Sequence, residues 1–485
     1  MSTDTPGMGA RSAAHRALSE TLRRKNPLDN ALDDAISGHH LVARDSGFAR
    51  AIANETMRRF GQLDDLVRHF VPQAPSPHRA GATLEILIAG ACELLFLDVP
   101  AHAAVDGANR LAAADGKAVH FKPLINAALR RIAREGASIL EKQDAQRLNT
   151  PDWLWTRWCE THGEETTRAI ARVHAQTPPL DLVFPHTSVF PFPHGFPPPC
   201  AGEVPSPARW RGEADCVTPH SGPEFILGPA VGRSRGDHLP RTGRKDRERE
   251  LPGGVVRFDH AGNVEALPGF GEGEFWVQDF AASLPARLFG NVRGRRVIDL
   301  CAAPGGKTAQ LASGGAHVIA IERYEHRAAR LAANLERLKL DAKLVIADAR
   351  DYQPDRPAPC VLLDAPCSAT GTIRRHPELP WIKQPGDIAA CADAANELLD
   401  AAAEMVAADG ILVFAVCSLE PEEGVEQVAH FLRRHTEFRR VPIMADELFG
   451  LAECISPDGD LRTLPSHLAE SGGMDGFYAA RLGRL

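Results

Sequence analysis

The chain has 485 residues, 44% hydrophobic and 24% charged, which suits a globular protein of two or three domains. It carries no apolar run near the roughly 18–20 residues that span a bilayer, no secretory h-region and no lipidation motif, so membrane insertion is excluded and a cytoplasmic location is expected. A formal net charge of −8 argues against nonspecific coating of nucleic acid but leaves room for a local basic groove.

In chain order, residues 1–45 are polar and Ala-rich and read as a poorly ordered N-terminal segment. Residues 46–145 read as a compact all-helical domain. Leu84, Leu87, Ile88, Ala91 and Leu95 mark one helical face, and Phe121, Leu124, Ile125, Ala128 and Ile132 repeat the pattern. Residues 146–180 form a helical linker, where Trp153, Trp155 and Trp158 read as hydrophobic anchors more than as base-stacking groups. Residues 181–250 hold 12 of the 37 prolines and little periodicity, so an atypical disordered stretch is expected.

Order returns from 251 to the end. Short apolar runs at 296–300, 317–321, 344–346, 361–363 and 411–416 alternate with helical stretches such as 325–338 and 387–407. This alternation predicts an α/β domain with a mostly parallel sheet, its ligands at the carboxyl ends of the strands. The ten cysteines include no C-x-x-C and no zinc-type Cys/His spacing, so no metal is expected.

Five features fall at those strand ends. Asp299-Leu-Cys-Ala-Ala-Pro-Gly-Gly-Lys-Thr308 follows a strand and opens a helix, where glycines allow close approach to a ligand. It is no phosphate-binding P-loop, because Cys301 stands where the first glycine belongs; an ordinary strand–helix turn is the plain alternative. Glu322 ends the next strand, where an acid can hold ribose hydroxyls. Asp348 follows the third strand and could meet an adenine amino group. Asp364-Ala-Pro-Cys-Ser-Ala-Thr-Gly371 follows the fourth strand, and Cys417-Ser-Leu-Glu-Pro-Glu-Glu423 the fifth. Cys367 and Cys417 thus reach one rim.

These segments, with Ile373-Arg374-Arg375-His376-Pro377, resemble the RsmB/Nop2-type (Fmu-type) RNA cytosine-5 methyltransferases. Phe275-Trp276-Val277-Gln278-Asp279 resembles the family's segment before the catalytic core, and Asp475-Gly476-Phe477-Tyr478 its closing strand. The helical part, through Ile125-Asn-Ala-Ala-Leu-Arg130, resembles the NusB-like RNA-binding domain of the RsmB subgroup. The resemblance implies a Rossmann-like class I methyltransferase domain at 251–485, behind an all-α NusB-like domain. It implies that Cys301, Ala302, Ala303, Pro304, Gly305, Gly306 and Lys307 line S-adenosylmethionine. Glu322 would hold the ribose, Asp348 the adenine, and Asp364 would face both cofactor and base. Cys417 would be the nucleophile and Cys367 would help release product. Arg374, Arg375 and His376 could hold phosphates beside the target base. The implied partner is RNA, with 16S rRNA the expected substrate, and the chain is expected to act as a monomer.

Three departures stand out. Glu322 and Val416 replace the family's usual Asp and Thr. The larger one is 182–250, where the family has a small RNA-binding subdomain beginning Leu-Arg-Val-Asn and this chain reads Leu182-Val-Phe-Pro-His186. That stretch reads as a diverged insertion or a reading-frame error in the gene sequence. Two other classes compete with the resemblance. A methyltransferase of another type would need no cysteine pair, and a noncatalytic RNA-binding assembly factor would transfer no methyl. DNA is disfavoured as substrate, because DNA enzymes place the nucleophile in the Pro-Cys segment.

Overall fold

The structure, a computed structural model, describes residues 7–73, 75–185, 248–259 and 264–485. What the sequence led one to expect of 186–247 lies outside the described residues.

Helices fill the front of the chain and begin earlier than expected. Met8–Arg24 and Leu28–Gly38 occupy the segment read as poorly ordered. The reason lies in the stripe they carry. Ala10, Ala13, Ala14, Ala17 and Leu18 recur at helical spacing and are buried in one cluster with Leu32, Ile52 and Met57. Alanine is the best helix former but a small one, so its buried face reads as only weakly apolar. A second cluster uses larger residues. Leu63, Leu87, Ile88, Ile125 and Leu129 close it, on helices that include Thr83–Leu95 and Lys122–Leu140, the two stretches marked by their periodicity.

The described strands form two sheets. The smaller is antiparallel, in the order β2 (Glu248–Leu251), β3 (Val255–Phe258), β1 (Leu180–Val183), β4 (Trp276–Val277). β1 and β2 are the two flanks of the stretch expected to be disordered, so those flanks are structured. A buried ion pair explains part of this. The Arg257 guanidinium donates to both Asp181 oxygens at 2.6 and 2.7 Å, and the Phe280 amide adds a third donor at 3.0 Å.

The larger sheet contains β5 (Arg296–Leu300), β6 (His317–Glu322), β7 (Lys343–Ile346), β8 (Ala358–Asp364), β9 (Val406–Val416), β10 (Phe438–Arg440), β11 (Leu461–Thr463) and β12 (Phe477–Arg484). Its order is β10-β12-β9-β8-β5-β6-β7, with β11 paired to β12. The contacts from β9 through β7 are parallel and those of β12 antiparallel. Alternate residues feed opposite cores. Val297, Leu362 and Val413 point into one cluster, while Ile298, Val361 and Leu412 point into the other. Strand order reverses between β5 and β8, the place where open α/β sheets leave a crevice at their carboxyl ends. Among the described residues no helix is long and apolar enough to cross a membrane.

The helices at the front are fastened to the segment after Cys367. Arg58 donates to the Arg374 and His174 carbonyls at 2.8 and 3.1 Å. Glu378 accepts from the Leu28 amide at 3.3 Å, Lys25 donates to the Trp381 carbonyl at 3.3 Å, and the Phe60 and Trp381 rings lie 4.9 Å apart.

Candidate active site

Five strand ends converge on one rim. After β5 the chain turns sharply, with Cys301 at φ +59° and Gly305 at φ +105°. Gly305 cannot carry a side chain, because a Cβ there would lie 2.2 Å from the Leu331 side chain. Gly306 then opens the helix Gly306–Ser313. The turn is tied to its neighbours through single bonds. The Ala302 amide donates to the Ile321 carbonyl at 3.0 Å and the Ala303 amide to Glu322 at 3.3 Å. Arg327 donates to the Ala303 carbonyl at 2.7 Å and Asn334 to the Pro304 carbonyl at 3.3 Å. Burial pushes the Cys301 thiol up to about 12, so it sits as a neutral, core-facing group.

Glu322 ends β6 buried, accepting also from the Tyr324 amide at 3.0 Å. Asp348 lies beyond β7 and is held by Arg350 through its Nε and Nη2 at 3.0 and 2.6 Å. Those bonds draw its carboxyl down to about 2. Asp364 ends β8 and accepts from the Lys307 ammonium at 2.8 Å. Burial alone would depress that ammonium, but Asp364, Cys417 and Asp299 together hold it above its ordinary value. Asp299, buried beneath, accepts from the Thr308 hydroxyl at 2.6 Å, and its second oxygen has no partner among the described residues. Burial pushes its carboxyl up to about 7.

Acids at the ends of β6 and β8 and beyond β7 surround the turn at 301–307. This donor set matches a nucleoside with a ribose diol and an exocyclic amine, so the residues fit the implied cofactor. Among the described residues no group of three or more His, Cys, Asp or Glu could hold a metal ion.

The two cysteines meet. Cys367 Sγ and Cys417 Sγ are 3.4 Å apart, both partly accessible. The hydrogen bond with Cys417, and then burial, drive the Cys367 thiol well above its ordinary value. Beneath them lies a carboxylate whose role no local pattern in the sequence reveals. Glu423 is fully buried. It accepts from the Ser368 amide at 2.7 Å, from the Ser368 hydroxyl at 2.5 Å and from the Ser418 hydroxyl. The serine that follows each cysteine is therefore tied to one acid. Thr370 extends the network, accepting from the Leu419 amide at 3.0 Å, and the Gly371 amide donates to the Cys417 carbonyl at 3.0 Å. Gly371 in turn touches the chain before β12, where a Cβ would fall 1.9 Å from the Gly476 carbonyl oxygen. Glu420 anchors the far end, accepting from Trp158 Nε1 and Arg157 Nε, each at 2.9 Å. Trp158 is thus a buried anchor.

The arginines proposed as phosphate holders are placed otherwise. Arg374 is fully buried and pairs with Asp475 at 2.7 Å and with Asp279. Arg375 pairs with the same two acids, at 2.6 Å to Asp279 and 3.1 Å to Asp475. His376 is half exposed but faces Asp29 and Glu378 at 3.6 and 3.9 Å, surroundings that repel a phosphate. These three residues brace the loop instead of offering charge to RNA. The signal was available in Asp279, an acid inside the apolar run Phe275 to Phe280, and in Asp475, but their partners lie about a hundred residues away.

Residues 288–483 match the family model described as 16S rRNA methyltransferase RsmB/F, and residues 8–134 match the NusB family. The chain is 33% identical to Ribosomal RNA small subunit methyltransferase B of Pseudomonas putida, over 98% of both chains. It is 30% identical to the protein of that name from Vibrio cholerae, again over 98% of each. Among solved structures, the crystal structure of PH0851 shares the fold at a TM-score of 0.69 and 21% identity, covering 99% of this chain and all of that one.

Proposed function

The chain belongs to the RsmB/F family of 16S rRNA methyltransferases, and we propose that it methylates C5 of a cytosine in small-subunit rRNA through a covalent bond from Cys417 to C6. S-adenosylmethionine is its cofactor and supplies an electrophilic methyl on a sulfonium. The observation that carries the reading is the pair of thiols 3.4 Å apart at the ends of β8 and β9, beside the Asp364–Lys307 pair.

Cytosine C5 is too electron-poor to attack a methyl unaided. Addition of the Cys417 thiolate at C6 turns C5 into an enamine-like carbon, which divides one hard step into two easier ones. The base must be unpaired or flipped out to reach the rim. Asp364 takes a hydrogen bond from its 4-amino group in this reading, and the Lys307 ammonium places positive charge close to Cys417. Once C5 holds the methyl group, a base takes the C5 proton, the C5–C6 double bond re-forms and the Cys417–C6 bond breaks. Cys367, held as a thiol, donates a hydrogen bond to the departing sulfur. Glu322 and Asp348 hold the nucleoside part of the cofactor, and the turn Cys301–Lys307 lines it. The protein acts as a monomer, in the cytoplasm where ribosomal subunits assemble.

Transfer of labelled methyl to unmodified small-subunit rRNA tests the reading. The expected result is label on cytosine C5 with the wild type, none with Cys417→Ala, and a trapped protein–RNA adduct with Cys367→Ala. Undiminished transfer by Cys417→Ala would assign the chain to another methyltransferase chemistry.

A further inference from the structure

The opposite rim of the large sheet carries a cavity of about 1000 Å³ at the amino ends of β5, β6, β7 and β8. Its lining is apolar, with Val318, Ile319, Leu340 and Pro357, and it is bordered by cations. Arg295, Arg296, His317, Lys339, Lys343 and Arg356 all face it, against the single lining acid Asp341. Arg296 pairs with Asp355. Arg295, Lys339, Lys343 and Arg356 have no carboxylate partner among the described residues, and the last three are exposed.

So many unpaired cations around one concavity stand out in a chain of net charge −8. They also contrast with the catalytic rim, where Arg374 and Arg375 are engaged by Asp279 and Asp475. A concavity with a cationic border is the chemistry that holds nucleic-acid phosphates at its edge, with the sugars and bases of an unpaired strand lying over the aliphatic floor.

We propose that this cavity is a second RNA-binding site, which grips the phosphodiester backbone of an unpaired stretch of the substrate rRNA on the side of the sheet away from the reaction. The proposal rests on the rRNA methyltransferase reading. Grip here would hold the substrate at a point separated from the target base by the length of the strands, about 15–20 Å for five or six residues.

The test uses the full chain and the triple variant Arg295→Glu, Lys339→Glu, Lys343→Glu. RNA affinity is measured against salt concentration with transcribed small-subunit rRNA. S-adenosylmethionine affinity, thermal unfolding and methyl transfer are measured on the same samples. The expected result is at least a ten-fold rise in the RNA Kd and KM, with a salt dependence shallower by about two released ions. Cofactor affinity and unfolding temperature stay unchanged. An unaltered Kd and salt slope would overturn the proposal. So would a defect seen only on assembled ribosomal particles and absent on naked RNA, which would make the cavity a protein-docking site. A wild type that binds RNA but transfers no methyl would instead remove the reading of function on which the proposal stands.

Discussion

The two halves of the catalytic rim are held together in different ways. The turn at 301–307, which we propose lines the cofactor, is tied by single bonds to separate partners, namely Glu322, Arg327, Asn334 and Asp364. The cysteine half is a hub, in which one buried carboxylate collects an amide and two hydroxyls from both cysteine loops. The difference follows from what each half must do. A bound nucleoside meets many groups and tolerates small shifts in any one. Under the proposed chemistry, a sulfur that adds to one ring carbon and is then expelled must be positioned to a fraction of an ångström.

The strongest way to break the hub is at its outer brace. Arg374→Ala leaves Asp279 and Asp475 buried, with only Arg375 to offset them, and should cost about 3–5 kcal/mol of stability in denaturant titrations. The salt dependence of RNA binding should be unaltered, in contrast to a true phosphate contact.

Glu423→Ala acts at the centre. It leaves the Ser368 amide without an acceptor, worth about 1–3 kcal/mol if buried and unmet, and leaves the two hydroxyls with only the longer contacts to each other and to Thr370 at 3.3–3.4 Å. The expected result is a fall in kcat of about ten-fold or more with cofactor affinity nearly constant, since about 1.4 kcal/mol at the transition state is a factor of ten. Glu423→Gln keeps one acceptor oxygen and should recover part of the loss. Equal losses in kcat and in cofactor binding would erase the distinction between the two halves.

On the cofactor side, Lys307→Met removes one tie. Asp364 is partly exposed and keeps access to water, so the stability change should stay within about 1–2 kcal/mol. Methyl transfer should fall at saturating RNA, together with cofactor affinity.

A pH titration sharpens the electrostatics beneath that turn. Burial raises the Asp299 carboxyl from 3.8 to about 7, so the folded chain keeps a proton that the unfolded chain releases above about pH 4. This group therefore favours folding at low pH, and its contribution is lost as pH rises from 4 to 7. Asp299→Asn should gain stability relative to wild type across that window and level off above it, by about 4 kcal/mol, about 1.4 for each pH unit of the window. Urea midpoints at pH 4.5 and pH 8 report it. A constant difference would mean that Asp299 is ionised in the fold.

Much of the rim was legible because each of its features is local. An acid or a thiol directly after an apolar run needs only the run to be recognised as a strand, as with Glu322, Asp364 and Cys417. What escaped is what needs a partner far along the chain. Glu423 acts on Ser368 from 55 residues away, and Arg374 meets Asp475 from 101. Neither pairing leaves a periodic trace, and a lone basic pair such as Arg374-Arg375 looks the same whether it faces water or a buried acid. The first two helices escaped for another reason. Their buried stripe is mostly alanine, whose burial depends on close helix approach and not on its own hydrophobicity.

The fastening of the front helices to residues 374–381 bears on how such a chain can be inherited. Arg58 bonds to the backbone of Arg374 itself, and Phe60 covers Trp381. A catalytic half cut loose from those helices would bare an indole and strip the brace of its loop a few residues beyond Cys367. Recombination that traded the helical half for another would have to remake this seam at the same moment.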